Sequence, residues 1–373
     1  MTKSIPLITA LLLSLAVYSQ QTNQTVTIGG VQRNYIQYLP VGFNAATETL
    51  PVVFVLHGIG GNAQEMTAAG MNLVADTARF IIIYPQGVPN TFGANSWNNG
   101  TVFLSSTADD MGFFNTMMDN YLMNFNADIS RIYMCGLSMG GIMSHHLACK
   151  MNNRIAAIGS MSGTIATSTM DFHTTNPLTY KTPVIHFHGT LDDVVPYAGD
   201  ALPSLELVAP TMNFWRNANN CDNTADSIRL PNTASDGLTV DRFVYNNCDQ
   251  EGAVELWRIN GGTHTYFYEP LNDFTEAIEI WLFFARWSHP NASPLGINEV
   301  NDSQITAFPN PSEGKLQLTG FLDMKVNVYQ SNGKFIGEFD LGSNKEIDLS
   351  NQQAGIYFIT SESIIKPISI IIN

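Results

Sequence analysis

Hydrophobic positions along this 373-residue chain fall into short unbroken runs separated by turn residues, and the runs alternate with stretches of helical period. Val52-Val53-Phe54-Val55-Leu56, Phe80 to Tyr84 and Ile132 to Cys135 are apolar throughout, and Ile155 to Met161, Val184 to Phe187 and Val254 to Ile259 at most positions. Such runs predict strands covered on both faces. Between them, Asp110 to Phe125, Ile142 to Cys149 and Phe274 to Trp287 carry apolar residues three and four apart and predict helices. Strand and helix in alternation predict an α/β fold, a mainly parallel sheet with helices on both faces. Gln20 to Pro40, alternating around Gly29-Gly30, predicts an opening hairpin ahead of it.

The pattern changes at both ends. Residues 1–19 hold Lys3, an apolar run from Ile5 to Val17 and small residues at Val17 and Ser19, which predicts a secretory signal peptide. After Trp287, residues 289–304 are rich in Pro, Asn and Ser and read as a linker. Residues 305–373 then show short strands at Lys315–Leu318, Val326–Tyr329, Phe335–Phe339 and Ile356–Ile359, with Asn332-Gly333 as a hairpin turn, predicting a small all-β sandwich domain. The α/β domain lies between, at residues 20–288.

Composition narrows the field. A net charge of -15 with only 13% charged residues gives an acidic surface that repels nucleic acid. No His-Glu-x-x-His run, paired Cys-x-x-Cys, phosphate loop or dinucleotide fingerprint is present, so neither metal nor cofactor is expected. An exported context permits disulfides among the four cysteines. Cys221 and Cys248 flank a strand-rich excursion; Cys135 and Cys149 read as buried thiols, with a bridge between them left open.

The candidate chemistry begins at Gly136-Leu137-Ser138-Met139-Gly140, where an apolar strand delivers a serine into a helix. On so tight a turn the hydroxyl projects clear of the sheet, and the flanking glycines let backbone pack closely around it. A serine nucleophile needs a base and an orienting acid. The strand ending at Gly189 leads into Asp192, with Asp193 as the rival acid, and the strand ending at Asn260 leads into His264 as the base. The oxyanion donors are expected from the Met139 amide and, in the glycine-rich loop after Leu56, the Ile59 amide. His57 is a substrate-side candidate or a loop-shaping hydrogen bonder, and His186 and His188 share a strand face near the site. The long Gly, Asn and Ser-rich stretch from Pro85 to Asp109 reads either as a site-covering loop with Trp97 as an aromatic platform or as an insertion with one packed tryptophan. Asp109 and Asp110 read as acidic residues at a helix N-terminus.

Together these segments resemble the secreted polyhydroxybutyrate depolymerase and feruloyl esterase family of α/β-hydrolases. The resemblance runs from Val26 to Trp287 and rests on Leu56-His57-Gly58-x-Gly60-Gly61-Asn62, Ser96-Trp97-Asn98, Asp109 to Phe113, Gly136 to Gly141, His188-Gly189-Thr190-x-Asp192-x-Val194 to Tyr197, and Gly261 to Thr265. It implies Ser138, Asp192 and His264 as a triad and a Cys221–Cys248 pair. Tyr266-Phe267 follows the histidine where members often carry Trp-Pro, and Ile59 stands where they often carry cysteine or an aromatic residue, so Tyr266 is a further substrate-side candidate. The tail, through Phe308-Pro309-Asn310-Pro311, Val328-Tyr329, Ile347-Asp348-Leu349 and Ala354 to Phe358, resembles the C-terminal sorting domain of the type IX secretion system. The expected function is therefore a secreted serine esterase acting on feruloyl or acetyl esters of plant polysaccharide, with polyester depolymerisation and an inactive surface binding module as competing readings. The expected partners are the ester, small or polymeric, and the type IX secretion machinery; no membrane span is expected once the signal peptide is cleaved.

Overall fold

The computed structural model describes residues 20–102, 104–290, 306–319, 325–330, 334–341, 346–361 and 364–372. The signal-peptide reading, most of the linker and the Asn332-Gly333 turn lie outside the described residues. The chain divides into two compact units, residues 1–296 and 297–373.

The first unit is built on one ten-stranded sheet. Its opening hairpin is β1 (Gln21–Ile28) and β2 (Val31–Tyr38). The strands β3 (Leu50–Leu56), β4 (Ile81–Pro85), β7 (Ala127–Leu137), β8 (Ala157–Met161), β9 (Val184–Gly189) and β12 (Val254–Asn260) form its parallel centre. A two-residue-per-strand hairpin, β5 (Val88–Pro89) and β6 (Asn95–Ser96), stands apart from it. The remaining members are β10 (Ala225–Arg229) and β11 (Thr239–Tyr245), and the sheet order is β1-β2-β4-β3-β7-β8-β9-β12-β11-β10. Antiparallel pairs flank the parallel centre on both sides, so the chain has a mainly parallel mixed sheet.

The unbroken apolar runs are explained by two cores, one per face. On β3, Val52, Phe54 and Leu56 face one core while Val53 and Val55 face the other, all five essentially inaccessible. Helices α3 (Asp110–Asn124), α4 (Met139–Lys150) and α6 (Val208–Ala218) cover the first face. Helices α1 (Ala63–Met66), α2 (Met71–Ala78) and α7 (Glu276–Phe284) cover the second. Each fully buried Leu, Ile, Val or Phe contributes roughly 1.5–3 kcal/mol before entropy is charged against it. Helix α5 (Thr167–Thr175) buries only Thr169.

Because β3, β7, β9 and β12 run parallel, the loops that follow them all leave from the same sheet edge. Those are the loops carrying Ile59, Ser138, Asp192 and His264. Elsewhere in this unit a disulfide joins Cys221, just beyond α6, to Cys248, just beyond β11, while Cys135 and Cys149 are buried free thiols.

The second unit is all-β. It has a three-stranded antiparallel sheet, β13 (Thr306–Phe308), β14 (Lys315–Thr319) and β17 (Glu346–Asp348), and a four-stranded one, β15 (Lys325–Gln330), β16 (Phe335–Asp340), β18 (Gly355–Ser361) and β19 (Ile364–Ile372). Leu316, Leu318 and Ile347 of one sheet share a core with Val326, Val328, Tyr357 and Ile370 of the other.

Candidate active site

Ser138 is the hinge between β7 and α4, with φ 56° and ψ -120°. A non-glycine residue in that region carries about 1–3 kcal/mol of strain, which only the surrounding packing can hold. The packing is backbone on backbone: a β-carbon on Gly140 would collide with the Leu56 carbonyl, and one on Gly163 with the Ser138 carbonyl. The Ser138 amide donates to the Met161 carbonyl at 2.7 Å and its carbonyl accepts from Ile142 at 3.0 Å.

The loops carrying Asp192 and His264 are stitched to each other. Thr190 donates to the Ile259 carbonyl and Leu191 to the Gly262 carbonyl, both at 2.9 Å, and Gly261 donates to Thr190 Oγ1 at 2.9 Å. Across this seam His264 Nδ1 donates to Asp192 Oδ2 at 2.7 Å. Asp192 Oδ1 accepts the amides of Val194 at 2.9 Å and Val195 at 2.8 Å. Burial alone would raise the Asp192 carboxyl, but the hydrogen bonds from His188, His264 and the Val195 amide hold it far below the ordinary carboxylate range. His264 Nε2 takes no hydrogen bond among the described residues, which leaves it open to a proton. Asp193, the rival acid, is exposed.

The loop after β3 lies against the serine: a β-carbon on Gly58 would come within 3.3 Å of Ser138 Cβ. Ile59 follows on an exposed bend. Its amide is unbonded among the described residues, whereas the next amide, Gly60, donates to Asn95 O at 2.8 Å. Met139 is the first residue of α4, where an N–H has no partner in its own helix.

The three substrate-side candidates are placed as follows, and for His57 and Trp97 the structure carries the packed alternative. Trp97 is fully buried, donates from Nε1 to the His57 carbonyl at 2.9 Å and packs on Phe114, so it props the loop before Ile59 and offers no platform. His57 is also buried and uses both ring nitrogens: Nδ1–H donates to Gly58 O at 2.7 Å and Nε2 accepts from Gly87 at 2.9 Å. Burial lowers its basicity, and its work is loop shaping. Tyr266 is half-buried against the second core with its hydroxyl on Met66 Sδ at 3.3 Å, a packing role. The Pro85 to Asp109 stretch is tied down at Asn95, Trp97, Asn98 and Gly100.

Asp109 caps α3 by accepting from Gly112 at 2.8 Å, as its position implies. Asp110 does something the sequence did not announce: it is buried and paired with Arg33 at 2.6 Å, while its other oxygen accepts the Asn98 amide at 2.6 Å. The two partners are 77 residues apart, and no local pattern links them.

Residues 43–205 match the phospholipase/carboxylesterase family, and residues 306–372 match the secretion system C-terminal sorting domain. The chain is 24% identical over 266 residues to a bifunctional acetylxylan esterase/xylanase of Neocallimastix patriciarum, covering 71% of this chain and 35% of that protein. It is 28% identical over 242 residues to feruloyl esterase B of Piromyces equi, covering 62% of this chain and 42% of that one. It thus spans well under half the length of these two relatives. Among solved structures, an acetyl xylan esterase from Aspergillus awamori superposes with a TM-score of 0.51 at 14% identity, over 71% of this chain and 99% of that chain, which establishes the fold. The first unit accordingly has the α/β-hydrolase fold, and residues 306–372 of the second are similar to the secretion system C-terminal sorting domain.

Proposed function

We propose that this chain cleaves feruloyl- or acetyl-type esters of plant polysaccharide through a covalent acyl-enzyme, with Ser138 as nucleophile, His264 as general base and acid, and Asp192 as the orienting carboxylate. The observation that carries this reading is the 2.7 Å bond from His264 Nδ1 to Asp192, which fixes the proton on Nδ1 and leaves the Nε2 lone pair for a serine hydroxyl on the same sheet edge. Ser138 Oγ attacks the acyl carbon as its proton passes to His264 Nε2. The resulting oxyanion is met by the Ile59 and Met139 amides. Collapse expels the alcohol, which takes the proton from His264, and water repeats the sequence to free the acid. The names of the fungal relatives support the substrate class.

Ser138→Ala is expected to lower turnover by about 10⁴-fold or more with an unchanged melting curve, and His264→Ala to do likewise. A panel of methyl ferulate, acetylated xylan and a polyester film, assayed with purified protein, tests the substrate. Faster turnover of the film overturns the polysaccharide reading, and failure of an organophosphate to label Ser138 overturns the enzyme reading. We also propose that residues 1–19 direct export and that residues 305–373 act in type IX secretion; unimpaired export of a chain lacking 305–373 contradicts the latter.

A further inference from the structure

We propose that His188 is a positioning residue for Asp192, held in the required tautomer by His186. The inference rests on the functional reading above and extends it to a part of the molecule that touches no substrate. Alternation along β9 puts both imidazoles on one face, and neither is accessible to solvent.

With both imidazoles neutral, the hydrogen bonds leave one arrangement of protons. The Val195 carbonyl can only accept, so the 2.8 Å contact from His188 Nε2 places the proton on that nitrogen. Neutral His188 then has a lone pair at Nδ1, and His186 Nε2, at 3.0 Å, is the donor to it. His186 Nδ1 is left as a buried acceptor with no partner among the described residues. An apolar side chain at either position would pack here without burying that orphan, so packing alone does not account for the pair. What the pair does supply is an N–H beside the acid: His188 Nε2 lies 3.4 Å from Asp192 Oδ2, the same oxygen that accepts from His264. With two amides on Oδ1, both carboxylate oxygens are restrained, and a restrained carboxylate fixes the plane of His264.

The titratable and charged groups around the pair are His145 of α4, 5.8 Å ring to ring from His186, Tyr197, 5.8 Å from His188, Asp192 itself, and Arg258, the register partner of His188 on β12. His145 is in turn committed to Trp215 Nε1 and the Gly163 carbonyl.

The test uses the full-length protein, p-nitrophenyl acetate as probe, and the variants H188A, H188Q and H186F beside S138A. H188A is expected to lower kcat by about 10- to 100-fold with KM within about twofold of the parent. Losing one N–H makes Asp192 attract the His264 proton more strongly, so the acid limb of kcat/KM is expected to move up by about half a pH unit. A general loosening would reduce active protein without moving that limb. H188Q, whose amide N–H replaces Nε2–H, is expected to recover most of the rate, and H186F to fall between. A folded H188A with unchanged kcat and acid limb overturns the proposal. Imidazole ¹⁵N shifts of the unmutated protein give an answer that does not depend on variants folding: His188 as neutral Nε2–H is expected, and Nδ1–H or a cation overturns it. An active S138A would instead overturn the functional reading itself, whereas an inactive S138A with a fully active H188A removes only the positioning role.

Discussion

The Arg33–Asp110 pair shows how a single side chain can carry more than its charge. Both groups are essentially inaccessible, Arg33 also lies 4.2 Å over the Phe113 ring, and Asp110 holds the Asn98 amide that anchors the stretch beside Trp97. Burial raises the Asp110 carboxyl while Arg33 and the Asn98 amide pull it down, and burial prevails. Removing one partner leaves the other desolvated and alone, a different event from removing both. Arg33→Ala is therefore expected to destabilise the protein by about 3–5 kcal/mol, and the double change Arg33→Met with Asp110→Leu by clearly less. Urea denaturation midpoints decide it: additive losses in the double variant would contradict the account.

The strand-turn-helix of β7 and α4 makes a sharper demand on its glycines than on its serine. Gly140 sits where α4 crosses the end of β3, and only a hydrogen in place of a side chain permits the Leu56 carbonyl to lie there. Gly140→Ala must push α4 away from the sheet, so it is expected to cost more than about 2 kcal/mol and to reduce esterase turnover beyond what the stability loss explains. Normal turnover in a well-folded Gly140→Ala protein would show that the crossing tolerates displacement. This element was readable from sequence because its requirements are local: an apolar strand, small residues on both sides of the serine and an apolar-faced helix. The strand β9 with its two histidines was readable in the same way, as an alternation. Helix α5 was not, since it buries only Thr169 and has no apolar stripe to detect. For Trp97 the sequence leaves platform and packed residue equally open, because a Gly, Asn and Ser-rich segment looks like an open loop. Here that segment is closed by side-chain and backbone hydrogen bonds that composition does not reveal.

Across the first unit, buried titratable groups set opposing limits on stability. His145, held down to about 3 by burial, and His146, held down to about 4 by burial and then by Lys150, stay neutral when folded, whereas the unfolded chain takes up their protons near 6.5. His186 is lowered in the same sense by burial, His188 and His145. Folding therefore excludes protons below pH 6.5, and stability falls as the pH drops. Asp192, with its depressed carboxyl, adds to that loss further down, as the pH falls through the ordinary aspartate range. Glu276 works in the other direction: buried at the start of α7 and raised to about 8, it keeps its proton when folded and gives it up near 4.5 when unfolded. Its contribution is complete below pH 4.5 and is lost as the pH climbs to 8, at up to about 1.4 kcal/mol per unit. Between pH 4.5 and 6.5 the histidines outnumber it, and above 6.5 it acts against a flat background. The melting temperature is thus expected to peak near pH 6.5. Self-repulsion of a chain carrying a net charge of -15 also favours the lower side of neutrality, so the position of the peak alone does not isolate Glu276. Glu276→Gln does, because it keeps the shape and an acceptor for the Phe267 amide while removing the ionisation. Calorimetric scans from pH 4 to 9 should show the decline between 6.5 and 8 flattened in that variant and the rise between 4.5 and 6.5 steepened, because the opposing Glu276 slope is gone from both. An identical alkaline slope in the two proteins would mean that Glu276 ionises in the folded state as readily as in water.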